Sequence, residues 1–179
     1  NGAGFSGTSN TSFSNSLSSL TLGSSSTVEY NGVFSTVISE NNYANLTSSS
    51  VGGRLLPQGR IGISGVFTRG SNTWGTLYAS STVEFNGNVP QNIPAIPYDN
   101  LSVSNGGTKT LSGAIVAGRN ITIGVSTSLD ASPNNYSISL AGDWLNNGTF
   151  TAGTGTVSFN GTASQAIEGS SITAFSNLA

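Results

Sequence analysis

The sequence predicts an all-β fold, organised as a repeat array of the parallel β-solenoid or β-helix type. Three observations favour it. Ser, Thr, Asn and Gly make up more than half of the 179 residues, and charged residues make up only 7%. Apolar and polar residues alternate with period two over many short segments, which is typical of β-strands and not of helices. One phrase of six residues, ending in Asn-Gly, occurs three times.

The repeated phrase is Thr-Val-x-aromatic-Asn-Gly, and its copies begin at Thr27, Thr82 and Thr156. In an extended segment the Val and the aromatic residue point to one side and the residue between them to the other. We therefore expect the Val and the aromatic residue to be buried and the variable residue to face water. The residues expected to set the register of the repeat are Val28, Tyr30, Asn31, Gly32, Val83, Phe85, Asn86, Gly87, Val157, Phe159, Asn160 and Gly161.

A second phrase, aromatic-x-Asn-Leu, follows each copy of the first, at residues 43–46, 98–101 and 175–178. The linked phrases divide the chain into repeat unit 27–81, repeat unit 82–155 and the start of a third unit, 156–179. Residues 1–26 then form an N-terminal extension or complete a preceding repeat. Because joining Ala179 to Asn1 would complete the third unit, we expect head-to-tail continuation into another copy. The chain has neither an initial Met nor a signal peptide, which indicates a processed or excised segment.

Turn residues cut the second unit into short predicted strands. These strands are residues 100–103, 108–111, 114–117, 120–123, 136–140, 149–151 and 156–159. In the first unit, residues 60–68 alternate with small residues and predict a single half-buried strand. Pro90, Pro94 and Pro97 would interrupt a central strand, so they predict a loop or a sheet edge.

The run from Leu140 to Thr162, which contains Gly-Asp-Trp-Leu-Asn-Asn-Gly-Thr-Phe-Thr-Ala-Gly-Thr-Gly, leads into the third copy of the phrase. Together with Gln165-Ala166-Ile167-Glu168-Gly169 and the last aromatic-x-Asn-Leu, this run resembles repeats of large secreted surface proteins of Bacteroidota-type bacteria. Those proteins belong to the adhesin-like, β-solenoid class. The resemblance covers residues 100–178 well and residues 27–81 loosely, since the Gly-Asp-Trp-Leu-Asn-Asn element is missing there. It implies secretion, surface display and a structural or adhesive role, and it implies no catalytic residues.

Two architectures fit these patterns. A parallel solenoid needs short strands, small residues at its corners and an inward stack of Val, Ile, Leu and Phe. An antiparallel sandwich with immunoglobulin-like modules needs hairpins, which the three aromatic-Asn-Gly turns could supply. Strand length and the resemblance both favour the solenoid.

Composition also limits the partners. The net charge of −2 offers no basic face for nucleic acid, and no stretch has the roughly 20 apolar residues that a membrane-spanning helix needs. With no Cys and no His, the chain offers no disulfide, no thiolate and no imidazole ligand. We expect an extracellular or cell-surface protein whose partners are further copies of itself and, as an alternative, cell-surface glycans.

Seven Asn-x-Ser/Thr triplets are candidate glycosylation sites, although a chain this rich in Asn, Ser and Thr forms such triplets by chance. They begin at Asn10, Asn45, Asn100, Asn120, Asn135, Asn147 and Asn160.

No catalytic, cofactor-binding or metal-binding residue is predicted. Asp130 and Asp143 could pair across solenoid turns, as acids do in polysaccharide-cleaving β-helices, but the chain has few groups for general acid–base chemistry. Asp130, Asn134 and Asn135 could hold calcium, but turn formation explains them better. Candidate sugar-stacking residues, for which core packing is the simpler explanation, are Trp74, Tyr78 and Trp144.

These observations predict a non-enzymatic structural segment of an extracellular fibre, filament or adhesin stalk, which assembles end to end through its β-edges. The alternatives are a carbohydrate-binding module of a surface adhesin and, less well supported, a β-helix polysaccharide lyase or hydrolase.

Overall fold

The computed structural model describes residues 22–76 and 79–179. This part of the chain is a parallel β-solenoid of about eight turns. Apart from one short 3-10 helix, Ser132–Asn134, its regular structure consists of 22 short strands. Each complete turn contributes one strand to each of three faces.

The strands of face 1 are β1 (Thr27–Tyr30), β4 (Asn45–Ser48), β7 (Phe67–Thr68), β10 (Gln91–Ile93), β13 (Thr108–Leu111), β16 (Ser128–Asp130) and β19 (Thr149–Thr151). The strands of face 2 are β2 (Thr36–Val37), β5 (Arg54–Leu56), β8 (Trp74–Thr76), β11 (Pro97–Tyr98), β14 (Ile115–Ala117), β17 (Ile138–Leu140), β20 (Thr156–Phe159) and β22 (Asn177–Leu178). The strands of face 3 are β3 (Asn42–Tyr43), β6 (Arg60–Ile63), β9 (Thr82–Phe85), β12 (Asn100–Val103), β15 (Ile121–Ile123), β18 (Trp144–Asn146) and β21 (Ile167–Glu168).

Every strand pairing among the described residues is parallel, which confirms the solenoid and shows that the sandwich alternative is wrong. One turn is 18 residues long where Thr27 pairs with Asn45, and 23 where Ile121 pairs with Trp144. The structural repeat is therefore shorter than units 27–81 and 82–155. Those longer units stay a prediction from sequence.

The two linked phrases are neighbouring strands. In each copy the Thr-Val of the first phrase pairs with the Asn-Leu of the second, one turn later: Val28 with Leu46, Val83 with Leu101 and Val157 with Leu178. The three copies lie on face 1, face 3 and face 2 respectively. The phrase pair thus describes one turn of the coil, and its copies start at different corners.

The Asn-Gly step of the phrase forms a corner and not a hairpin. A type I′ hairpin turn needs positive φ at both central residues, and none of the six Asn and Gly residues has it. At the second and third copies glycine is required for space instead, whereas a Cβ on Gly32 would have no neighbour closer than 4.0 Å. A Cβ on Gly87 would lie 2.2 Å from the carbonyl oxygen of Ser64, and one on Gly161 would lie 2.2 Å from that of Ala141.

Inward side chains form columns along the solenoid axis. On face 3, Val83, Leu101, Ile121 and Trp144 are consecutive partners, and all are buried. The burial predicted for both the Val and the aromatic residue is found in full only in the second copy, where Val83 and Phe85 are buried and the variable Glu84 between them is partly exposed. In the first copy Tyr30 is buried and Val28 is partly exposed, and in the third copy Val157 is buried and Phe159 is partly exposed. Strands stack about 4.8 Å apart, so each turn adds one layer of apolar side chains to the core.

Two of the three faces are interrupted at the same level. The sheet of face 1 ends at β7 and restarts at β10, and that of face 2 ends at β8 and restarts at β11, whereas face 3 forms one sheet of seven strands. We call this level the seam. Pro90, Pro94 and Pro97 lie beside it, and Pro97 is part of β11, so the predicted loop or edge is confirmed. Proline has no N–H for a sheet ladder and is tolerated at such an edge.

The predicted strands of the second unit are confirmed within one or two residues. The single strand predicted over residues 60–68 is wrong. The chain turns a corner there, so that β6 lies on face 3 and β7 on face 1.

Candidate functional site

The most elaborate polar site in the described residues surrounds Arg54, whose side chain is completely buried. Its Nη2 donates to the carbonyl oxygens of Tyr30, Gly32 and Ser49, at 2.6, 3.1 and 2.8 Å. Its Nη1 donates to Gly52, Gly53 and Phe34. The guanidinium therefore sits among carbonyls of two successive turns, at the corner where the first Asn-Gly step lies.

Lys109 occupies the equivalent place in the second copy of the phrase. It is also completely buried, and its Nζ donates to the carbonyl oxygens of Gly87 and Val89, at 2.5 and 3.0 Å. Both cations lie 22 residues after the Gly of the phrase and eight residues after the Leu of the second phrase. The sequence analysis did not predict that Arg54 and Lys109 are buried, although their common spacing from the first two copies of the phrase could have indicated a shared role.

Two glutamines form a second set of contacts, at the second and third Asn-Gly corners. Gly87 N donates to Gln91 Oε1 at 2.8 Å, while Gln91 Nε2 donates to the carbonyls of Ile63 and Gly65. Gln165 repeats these contacts with Gly161, Leu140 and Gly142. Each glutamine is four residues after the Gly of its phrase, where the first copy has Thr36.

Burial sets the electrostatics of this interior. Neither Arg54 nor Lys109 forms an ion pair among the described residues. Because the charged form loses its hydration, burial lowers the pKa of Lys109 and that of Arg54. Burial raises the pKa of Tyr98 and of Tyr43, the latter also through the neighbouring Tyr30. The carbonyls stabilise the cations as partial negative charges, in place of carboxylates.

The C-terminal end of the solenoid presents edge strands, each of which pairs with a described strand on one side only. In the described chain β19, β21 and β22 each form the last strand of their face. Ile167, Ile172 and Leu178 are 49%, 95% and 55% exposed there. Beneath them Trp144 packs edge-on against Phe150 and Phe175, with ring centroids 4.8 and 5.3 Å apart. Exposed apolar side chains and unpaired backbone groups therefore meet at one end.

A cleft of about 380 Å³ opens on face 1 at the seam. It lies between β7 and β10 and is lined on both sides by exposed valines, Val66 and Val89, with Gln91, Asn92 and Ser112 among its polar residues. The cleft exists because the sheet of face 1 is interrupted at this level.

Most of the candidate glycosylation sites are used by the fold as bridges between turns. Asn45 and Asn100 donate through Nδ2 to the carbonyls of Ser26 and Ser81 in the preceding turn. Asn147 Oδ1 accepts from Ser170 N, and Asn160 Nδ2 donates to Ser139 Oγ. Asn10 lies outside the described residues.

Asn120 and Asn135 are the exposed candidates whose amide nitrogens make no hydrogen bond in the described structure. Only their Oδ1 atoms are engaged, by Asp143 N and Thr154 N. A sugar on Nδ2 is thus geometrically compatible with these two sites. Glycosylation at all seven positions stays a prediction.

The acids considered for catalysis do not meet. Asp130 is on β16 of face 1 and accepts from the backbone and hydroxyl of Ser132. Asp143 lies at the corner before β18 and accepts from Ala166 N at 2.8 Å. Of the residues considered for calcium, Asp130 accepts from Ser132 N in its own loop and Asn135 accepts from Thr154 N of the next solenoid turn. The described residues contain no group of three or more His, Cys, Asp and Glu side chains that could hold a metal ion.

The aromatic residues proposed for sugar stacking are mainly core residues. Trp144 is completely buried, and Trp74 is half-buried and packs edge-on against Phe67, with ring centroids 5.1 Å apart. Tyr78 lies outside the described residues. Core packing, the simpler explanation, is confirmed for Trp144.

Comparison with known proteins gave no matching family model, no matching curated protein and no matching solved structure. Within residues 22–76 and 79–179, no helix has the length and apolar character of a membrane span.

Proposed function

We propose that this chain is a structural segment of an extracellular fibre or adhesin stalk, in which solenoids stack end to end. The observation that carries the proposal is the C-terminal end, where three edge strands and exposed Ile167, Ile172 and Leu178 occur together. The open edge of such a strand is a template for a further strand, and exposed apolar side chains beside it add burial on association.

The interior supports a mechanical role. Parallel ladders on three faces run along the axis, and side chains such as Arg54, Gln91 and Asn100 connect successive turns through their hydrogen bonds. A rod of this kind resists bending because successive layers are hydrogen-bonded on all three faces, except at the seam, where only face 3 is continuous. The resemblance to secreted surface repeats adds the location that we propose, outside the cell.

The third Asn-Gly corner differs from the first two in the side chain that contacts its glycine carbonyl. In the first two copies the following turn brings Arg54 or Lys109 to the carbonyl of the phrase Gly. No described side chain occupies the corresponding place at Gly161. We expect a turn stacked on this end to bind best when it carries a Lys or Arg there.

The test is assembly of the purified chain. Electron microscopy and light scattering at rising protein concentration should show rods that lengthen by one solenoid at a time. Replacing Ile172 and Leu178 by Lys should abolish the rods, because it places charge on the docking end.

The matched control is Val116→Lys, which puts the same charge on a side chain that is 58% exposed on face 2, away from either end. This variant should assemble like the parent chain. Monomers at every concentration, or equal loss in both variants, would contradict the proposal.

Glycan binding is a second candidate, and the seam cleft is the observation that favours it. Its exposed valines and its polar lining residues suit the faces and hydroxyls of a short saccharide. A glycan array tests this function directly, and Val89→Asp should remove any binding seen. An array without a hit would exclude it.

A further inference from the structure

The described chain contains five Asn-Gly steps, and one of them differs from the other four in its hydrogen bonds. Asn-Gly is the dipeptide most prone to spontaneous deamidation, since the small glycine lets its amide nitrogen reach the Asn side chain. That nitrogen attacks Cγ, a new C–N bond forms, and the Cγ–Nδ2 bond breaks to release ammonia. The amide proton passes to solvent, and water then opens the succinimide ring to aspartate or isoaspartate.

Hydrogen bonds hold both reacting groups at the second and third copies of the phrase. Gly87 N donates to Gln91 Oε1, and Asn86 Nδ2 donates to Asn42 Oδ1 at 2.8 Å. Gly161 N likewise donates to Gln165 Oε1, and Asn160 Nδ2 donates to Ser139 Oγ. Attack requires both bonds to break, because the nitrogen must turn towards Cγ and lose its proton.

Two further steps outside the phrase are held in the same way. Gly106 N donates to Thr127 Oγ1 at 2.9 Å, while Asn105 Nδ2 donates to the Asn86 carbonyl. Gly148 N donates to Asn146 Oδ1 at 3.0 Å, and Asn147 Oδ1 accepts from Ser170.

At Asn31-Gly32 neither group is held by a described residue. Both residues are exposed, and Thr36, at the place of the two glutamines, directs its hydroxyl to the carbonyl of Phe34 instead. Exposure alone does not explain the difference, because Asn160 is exposed as well.

We propose that Asn31 is the most rapidly deamidated of the five described Asn-Gly steps, and that Gln91 and Gln165 protect the equivalent corners at Asn86 and Asn160. The glutamine acts by accepting the hydrogen bond of the glycine N–H. At Gly87 and Gly161 the fold thus keeps a glycine that its tight corners need, while it suppresses the reaction of the Asn-Gly pair.

Ageing of the intact chain in mildly alkaline buffer, followed by peptide mapping that separates aspartate from isoaspartate, tests the ranking. Asn31 should convert at least about fivefold faster than Asn86, Asn105, Asn147 or Asn160. The reason is that the loss of one hydrogen bond raises the population of the reactive conformation by about that factor. Equal rates at Asn31 and Asn160 would overturn the proposal.

Two variants test the glutamine itself, with Asn86 in the same molecule as the internal reference. Gln165→Ala should raise the rate at Asn160 about fivefold. Gln165→Glu should leave it slow, because a carboxylate still accepts from Gly161 N although it no longer donates to Leu140 and Gly142. No change in Gln165→Ala, or equal acceleration in both variants, would show that the glutamine does not protect through this bond. If deamidation at Asn86 also accelerates, the substitution has opened the fold. The proposal is then tested by the ranking of the five deamidation rates in the parent chain.

Discussion

The turns on the two sides of the seam use the same coil with different interiors. In the N-terminal stack, which comprises β1 to β9, the hydroxyls of Tyr30 and Tyr43 form a hydrogen bond of 3.0 Å, and the Arg54 guanidinium fills a corner. In the C-terminal stack, which comprises β10 to β22, Lys109 is also bound by carbonyls, but the rest of the interior is mainly apolar, as in the column Ile115, Ile138 and Val157. A solenoid turn therefore needs a filled and hydrogen-bonded interior, and either apolar packing or carbonyl-bound polar groups can supply it.

The largest expected effect is that of Arg54→Leu in the N-terminal stack. The variant leaves the carbonyls of six residues without their donor, and we expect it to lower the free energy of unfolding by about 4 kcal/mol. Urea unfolding measures this change. Arg60→Leu is the control, since Arg60 forms an exposed ion pair with Glu84 and should cost less than about 1 kcal/mol. Equal losses would mean that the buried cation is not what stabilises this stack.

The counterpart in the C-terminal stack is Ile138→Ala. Ile138 is completely buried between Ile115 and Val157, so removing its side chain should cost about 3 kcal/mol through lost burial and the cavity left behind. Val116→Ala, on the outer side of the neighbouring strand, should change unfolding by less than about 0.5 kcal/mol. A small effect of Ile138→Ala would show that this interior is loosely packed.

Tyr98 provides a pH test at the seam. Burial raises the pKa of Tyr98, so above pH of about 10 the unfolded chain loses this proton while the folded chain keeps it. The unfolded state then binds fewer protons, and stability falls as pH rises. Tyr98→Phe should reduce this alkaline slope by up to about 1.4 kcal/mol per pH unit.

At neutral pH Tyr98→Phe removes the hydrogen bond from Tyr98 to the carbonyl of Pro94 and should cost about 1 kcal/mol. Denaturant unfolding at several pH values separates the two effects. An unchanged alkaline slope would assign the pH dependence to Tyr43, in the N-terminal stack.

The smallest effect belongs to the variable position of the phrase. Glu84→Ser introduces the residue that the third copy has at Ser158, and it removes contacts with Arg60 and Ser104. We expect at most about 1 kcal/mol, decreasing with added salt, because the group is partly exposed. A loss that persists in high salt would show that the residue supports the fold in one stack and not in the other.

The two stacks also differ in how far sequence could predict them. Strands of the C-terminal stack alternate cleanly, and residues 100–103, 108–111, 149–151 and 156–159 match β12, β13, β19 and β20. Residues 60–68 continue the same alternation through Gly65, so the corner between β6 and β7 left no break in the pattern. Neither Arg54 nor Lys109 looked like an interior residue, because their charge predicts exposure and the carbonyls that receive them come from residues about 20 positions away.

The sequence by itself determined the all-β class, the inward Val and aromatic residues and the link between the two phrases, because these depend on period-two alternation and on local turn chemistry. Only the tertiary structure showed that the linked phrases pair across one turn, that their copies lie on three different faces and that buried cations and glutamines hold the Asn-Gly corners. These features depend on which residues one full turn of 18 to 23 residues brings together. Corner lengths vary along the chain, so that the partner of each residue is set by the coil as a whole and not by its neighbours in sequence.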